Sequence, residues 1–310
     1  MKRKCDIEMD FRIDDEEICS FIKAPTPEEH HAIQFTGEYI EEEKDEIIYP
    51  QKETEDITVK EFYDKYIART QEQCIEEERA PQRSKEWKEA RKFPLTASDY
   101  GNAIGANKYS SPDETVRKKL WDTFSGNAAT QWGSKMEDKA SEAFMKWARL
   151  QDPDAILHSF GILKYAETPW LAASPDGILE WTKHGKKQYD LVEFKCPTKT
   201  FTLGHPYDSH ENNIPAYYKA QMLGVWGYIN GHGGIMIHDE MQTLKDTWFV
   251  VWQPKTLWIT QLEFTNDEWL VQFEKLRVWY FEKWLPALVW NYNKRLEKGE
   301  IKPQCNPVCL

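Results

Sequence analysis

Glu193-Phe194-Lys195 lies in a short apolar stretch, with Leu191, Val192, Phe194 and Cys196 around its two charges. In a strand alternate side chains share a face, so Glu193 and Lys195 point one way and Phe194 the other. The same Glu-x-Lys spacing recurs at Glu42/Lys44, Glu86/Lys88 and Glu137/Lys139, in polar or helical text where a solvated surface accounts for it. On a short apolar strand, a carboxylate and an ammonium need partners or a metal. A partner stands 17 residues upstream: Asp176, in Ser174-Pro175-Asp176-Gly177, after the apolar run Trp170-Leu171-Ala172-Ala173. Pro-Asp-Gly by itself reads as a β-turn. Residues 180–189, with Lys183, His184, Gly185 and Lys186, read as a hairpin loop, and a hairpin brings Asp176 beside Glu193. Two carboxylates and a lysine at one sheet end suit a hard divalent cation. The oxygens would ligate Mg²⁺ and the lysine would position a water.

The elements that must hold these residues follow from periodicity and punctuation. Residues 58–78 read as helical, with Phe62, Tyr66 and Ile67 on one side. A helix over 82–92 carries Trp87 and Arg91 and breaks at Pro94. Ser98 caps or opens a short helix that ends near Gly101–Gly105. Further helices are expected over 112–124 and 129–150, the latter with Met136, Ala140, Phe144 and Trp147 at helical spacing. Residues 156–181 read as strands, 190–196 as a strand ended by Pro197, and 215–229 as a helix. Residues 234–238 and 247–264 are β-rich, and 266–298 are helical with a break or kink at Pro286. This order implies an α/β (α+β) fold with a mixed sheet flanked by helices.

Composition bounds the rest. The chain has 310 residues, 40% hydrophobic and 14% aromatic, with 14 Trp, enough for a substantial core. No stretch approaches a membrane span, no apolar segment follows the basic start, and six scattered Cys form no disulfide framework. A soluble intracellular protein is expected. The net charge of −12 is unevenly spread. Residues 1–80 hold 24 Asp and Glu against 11 Lys and Arg; residues 81–310 hold 28 against 29. We therefore divide the chain into an acidic N-terminal extension, 1–80, partly disordered or helical, and a near-neutral body, 81–310. Glu41, Glu42, Glu43, Asp45 and Glu46 head the acidic run. It is a solvated arm, or one that competes with phosphates for a basic surface.

Several blocks in one order carry a resemblance: Trp87 and Arg91, then Leu95-Thr96-Ala97-Ser98; Trp132-Gly133 with Glu137 and Ala140; Ser174-Pro175-Asp176-Gly177; Glu193-Phe194-Lys195-Cys196-Pro197; and Tyr218, Ala220 and Gln221. Over residues 82–265 the chain resembles the PD-(D/E)xK nucleases and, among them, the lambda-type exonucleases, or YqaJ-like viral recombinase family. The resemblance implies a restriction-endonuclease-like core. Asp176 and Glu193 match its metal-binding carboxylates, completed by the carbonyl of Phe194, and Lys195 matches the residue that orients and helps deprotonate the attacking water. Glu137 matches a further acidic residue around the metals, Gln221 a glutamine that holds the site, and Arg91 and Ser98 the residues that bind a terminal 5′-phosphate. The implied enzyme uses two Mg²⁺ ions, with Mn²⁺ as a substitute, to hydrolyse duplex DNA ends 5′→3′. It releases 5′-mononucleotides and leaves 3′ tails for a single-strand annealing protein, in recombination or repair. The family's ring-shaped homotrimer, a viral source and action in a host cell's cytoplasm or nucleus follow from the same resemblance.

Read blandly, Glu137 is a surface carboxylate, Gln221 a polar helix residue, Arg91 a surface arginine and Ser98 a cap. The acidic extension is foreign to the family pattern. An endonuclease on the same fold and a catalytically silent DNA-end scaffold are the rival readings. An iron–sulfur cluster lacks ligands, since only Cys305, Cys309 and Cys74 offer themselves. Gly231-His232-Gly233-Gly234 lacks the P-loop Lys-Ser/Thr and reads as a turn, and the Trp residues of 248–290 read as core.

Overall fold

A computed structural model describes residues 56–121, 128–198, 214–254 and 256–301. The acidic run at 41–46, Cys305 and Cys309 lie outside the described residues. The first described helices are α1 (Val59–Tyr66) and α2 (Gln71–Glu78). The stretch 58–78 is helical, as expected, and falls into two helices because Thr70 opens a second capping box with Gln73 just after Thr58 has opened the first with Glu61. Arg69 seals the joint by donating to the carbonyls of Tyr66 and Ala68. Phe62, Tyr66 and Ile67 are buried in the same core as Leu95, Trp170 and Tyr292. Residues on both sides of the 80/81 division thus share one core.

The chain continues through α3 (Lys85–Ala90), β1 (Leu95–Thr96), α4 (Ala97–Ala103), α5 (Pro112–Trp121) and the long α6 (Ala128–Gln151). Strands β2 (Ile156–His158), β3 (Leu171–Ala172), β4 (Gly177–Lys183) and β5 (Lys186–Lys195) follow. After α7 (Ala216–Gly231) come β6 (Ile235–Ile237), β7 (Glu240–Gln242), β8 (Leu244–Gln253) and β9 (Thr256–Leu262). The central sheet has the order β2-β4-β5-β8-β9. Only β5 and β8 pair parallel within it, so the sheet is mixed, as expected. On one face α6 lays Ala140, Phe144 and Ala148 against Leu179, Val192, Phe194 and Val250. On the other, Ile178, Tyr189 and Leu191 join Val225 and Ile229 of α7.

The hairpin that positions the site is tighter than expected. Residues 180–189 are no loop: β4 and β5 stay paired to Lys183 opposite Lys186, leaving only His184 and Gly185 unpaired. Both have positive φ, 53° and 73°, the geometry of a two-residue turn whose twist matches its strands. Lysines at 183, 186 and 187 hid the strand pattern, since the hairpin tip is mostly exposed. Helix α7 approaches α4 closely. A Cβ on Gly101 would lie 2.6 Å from that of Tyr217, and one on Gly224 would lie 2.1 Å from the Tyr100 ring. Glycine at both positions lets the backbones meet.

The C-terminal helices are α8 (Asn266–Trp279) and α9 (Leu285–Glu297), joined by a π-helical turn over Tyr280–Trp284. The widened turn sits just ahead of Pro286, which lacks the N–H that a regular ladder needs. Tyr280 and Trp284 both donate to the Phe93 carbonyl, at 3.1 and 2.8 Å, and so fasten the segment that leads into β1. Trp248, Trp269, Trp279 and Trp284 are core residues, as expected, whereas Trp290 is exposed. Gly233 and Gly234 turn the chain after α7 with φ of 83° and 119°.

His232 closes that turn over the loop before β3. Its ring stacks on Tyr165 at 4.1 Å, its Nδ1 donates to the Tyr228 carbonyl at 2.7 Å, and its Nε2 lies 2.8 Å from the Thr168 hydroxyl. Burial holds the imidazole below its ordinary value. The unfolded chain therefore takes up this proton first, so the stability His232 contributes is whole above about pH 6.5 and is lost as pH falls. Urea unfolding of wild type between about pH 7 and 5 should show a steeper loss than that of His232→Gln. Equal slopes would remove His232 from the account.

Candidate active site

Gly177 stands opposite Val192 in the β4–β5 hairpin. That register sets Asp176, the residue before β4, against the end of β5, where its Oδ2 accepts the Phe194 N–H at 2.8 Å. Glu193 is 1% exposed. Its Oε1 accepts from both the Lys195 ammonium and the Gln221 amide, the latter at 2.6 Å from α7. Its Oε2 is buried with no donor among the described residues. A buried carboxylate oxygen without a partner is costly, and a second carboxylate beside it adds repulsion. Burial first, then the Glu193 charge, push the Asp176 carboxyl well above the usual range, against the pull of Lys195. Burial also disfavours the Lys195 ammonium, yet Glu193 and Asp176 outweigh it and raise the group above its ordinary value. The ammonium lies 4.9 Å from the centroid of the Tyr218 ring.

These groups fit a divalent cation. An orphaned oxygen on Glu193 and a carboxyl on Asp176 that resists ionisation are what a hard cation between them would relieve.

Glu137 enters from α6. Its Oε2 accepts from Arg83 at 2.6 Å, and Arg83 also donates to the Ser134 carbonyl at 3.2 Å. Burial, the largest influence, raises the Glu137 carboxyl; Arg83 opposes it and Glu193 adds to it. Arg83 was not found by reading the sequence. It precedes the Ser84 cap of α3 with φ of 71°, a conformation that no neighbouring residue type announces.

Arg91 is the C-cap residue of α3. Its guanidinium carbon lies 4.1 Å from the centroid of the Trp87 ring. Its nitrogens reach the hydroxyls of Ser98 at 3.3 Å and of Ser174 and Thr96 at 3.5 Å. Trp87 Nε1 donates to the same Ser174 oxygen at 3.0 Å. Among the described residues no carboxylate lies within ion-pair distance of Arg91; the nearby Asp99 pairs with Lys119 at 2.9 Å. Ser98 is not a cap. Thr96 holds the N-cap position of α4 without a side-chain capping bond, and its hydroxyl lies 3.2 Å from that of Ser98. The two hydroxyls instead share the arginine. Thr96 is thus a buried partner of Arg91 to which the sequence assigned no role.

Arg91, Ser98, Glu137, Asp176, Glu193, Phe194, Lys195 and Gln221 all line one cavity of about 670 Å³, together with Arg83, Trp87, Ser174 and Tyr218. Residues 86–225 match the family model of the YqaJ-like viral recombinase domain. The match takes in all eight expected site residues and leaves Arg83 outside it. No curated protein matches the chain. Among solved structures, an alkaline exonuclease (LHK-Exo) from Laribacter hongkongensis is 19% identical, covering 70% of this chain and 100% of that one at a TM-score of 0.49. LHK-Exo in complex with dAMP covers 69% and 99%, also at 19% identity, with a TM-score of 0.46. Cys74, one of the three cysteines weighed for a cluster, is buried, and burial pushes its thiol up to about 11.

Because the folded Asp176 value lies above its unfolded one, its contribution favours folding at low pH and is lost as pH rises. In chelator, Asp176→Asn should therefore gain on wild type with rising pH, by roughly 1–3 kcal/mol in urea unfolding. An excess of Mg²⁺ should close the gap. A variant no more stable than wild type at any pH would contradict this reading of the carboxylate pair.

Proposed function

We propose that this YqaJ-like domain is a Mg²⁺-dependent DNA exonuclease that attacks double-stranded ends 5′→3′, releases 5′-mononucleotides and leaves 3′ single-stranded tails for recombination. The observation that carries the reading is Arg91. It is a guanidinium seated on an indole, with hydroxyls and, among the described residues, no carboxylate within ion-pair distance, and it opens into the cavity that holds Asp176, Glu193 and Lys195. A planar guanidinium matches phosphate oxygens bidentately, so Arg91 and Ser98 would seat a terminal 5′-phosphate and fix the distance to the bond that is cut.

Asp176, Glu193, the Phe194 carbonyl and Glu137 would hold the cations, two Mg²⁺ ions with Mn²⁺ as a substitute. When bound, they supply Lewis acidity: a more acidic water and neutralised charge on the phosphodiester. Lys195, held as the ammonium, orients the attacking water and offsets charge that builds on the phosphate oxygens. Gln221 fixes the Glu193 carboxylate by one oxygen, so that the other would be left to ligate a cation. Arg83 keeps Glu137 from adding an uncompensated charge. Water attacks phosphorus and the 3′-oxygen leaves with a proton, which yields a 5′-nucleotide. A single-strand annealing protein would take up the 3′ tails, and a homotrimer would enclose the duplex.

The test uses linear duplex DNA with 5′-phosphate or 5′-hydroxyl ends, and closed circles, all in Mg²⁺. Wild type should degrade phosphorylated linear DNA from its 5′ ends and spare circles. Lys195→Ala should lose about 10²–10⁴-fold in turnover. Arg91→Ala should keep residual cleavage but lose the preference for phosphate. Cut circles without phosphate preference would mean an endonuclease. No cleavage with any divalent cation would leave a DNA-end scaffold.

A further inference from the structure

Four residues along the chain from Asp176, and on the same side of the sheet as Glu193, a second cluster is unused by this chemistry. Glu180 of β4 is 4% exposed. Its Oε2 meets two imidazoles, His158 Nε2 at 2.7 Å and His238 Nε2 at 2.8 Å. Its Oε1 is held separately by Lys187. His158 ends β2 opposite Ile178, so it shares a face with Ile178 and Glu180. His238 comes from a separate hairpin, in the two-residue turn between β6 and β7. The three ligand atoms lie within 4.8 Å of one another.

Two features point to a metal rather than to a solvated ion pair. The first is the ligand geometry. Tetrahedral bonds of about 2.0–2.1 Å place neighbouring donor atoms roughly 3.3 Å apart, so an outward shift of about half an ångström per contact would admit the ion. The rings already stand at 80° with centroids 5.4 Å apart, and both present Nε2 to the same oxygen. The second is placement. His238 and Asp239, with φ of 53° and 60°, form the two-residue turn of the β6–β7 hairpin, and that turn carries His238 over Glu180.

We propose that His158, Glu180 and His238 form a Zn²⁺ site that clamps the β6–β7 hairpin to the β2–β4 edge of the sheet, distinct from the cation site of Asp176 and Glu193. Two imidazoles and a carboxylate suit zinc, whereas Mg²⁺ requires oxygen donors. The Nε2 atoms bind as neutral imidazoles with their protons on Nδ1, Glu180 binds through Oε2, and a water takes the fourth position. His238 is 58% exposed on its side chain, so the ion has a path in from solvent.

The test uses the full chain, stripped with chelator and carrying Asp176→Asn and Glu193→Gln so that the other cation site is silenced. After Zn²⁺ addition and gel filtration, elemental analysis should find one zinc per chain. Co²⁺ should give the visible bands of a tetrahedral nitrogen–oxygen site. His238→Asn suits the turn and removes one ligand; it should stay folded by circular dichroism and lose both signals. His158→Gln should do the same. Absence of bound zinc, or zinc retained by both variants, would overturn the site and leave a hydrogen-bonded clasp only.

Discussion

Glu193 is the constraint from which the site follows. Its carboxylate is buried on β5 and anchored at one oxygen by Lys195 and Gln221, while the other oxygen has no donor among the described residues and Asp176 stands close by. A buried anion in that condition destabilises the fold unless something positive completes it. The surrounding architecture holds it there all the same. The β4–β5 hairpin fixes Asp176 opposite, α7 brings Gln221, and α6 covers the reverse face through Phe144 on Phe194 at 5.7 Å. Strain concentrated at such a point is expected of a functional site.

The Arg91 side of the cavity is built by another route. Phe93 is held by Tyr280 and Trp284, and Leu95 and Thr96 pair with Leu171 and Ala172. Through that small parallel pair, Thr96 and Ser98 stay in register with Ser174, two residues before Asp176. The arginine pocket and the carboxylate pair are thus fixed to each other by backbone rather than by long side chains. The proposed exonuclease would use this rigidity to measure from a terminus to the bond it cuts.

Much of this was legible in the residues. Glu193 and Lys195 betrayed themselves as charges in an apolar strand, and the Ser-Pro-Asp-Gly turn showed where a partner carboxylate could come from. The tight hairpin was not legible, because its exposed lysines broke the strand alternation. Nor was the division at Thr70, where a capping box competes with a continuing helical pattern. Arg83 and Thr96 escaped because their roles come from tertiary proximity, to Glu137 and Arg91, and not from local spacing. His158, Glu180 and His238 are scattered over some 80 residues and belong to no sequence motif; only the sheet and the β6–β7 turn bring them together.

The central claim is that the Glu193–Asp176 pair is a cation site, and the most direct measurement is calorimetric titration of the chelator-stripped protein with Mg²⁺, with thermal unfolding followed alongside. Wild type should bind Mg²⁺ and unfold at a higher temperature as the ion is added, since a ligand of the folded state stabilises it. Glu193→Gln keeps the shape, discards the charge and should show neither response. Equal binding and equal stabilisation in the variant, or none in wild type, would contradict the account.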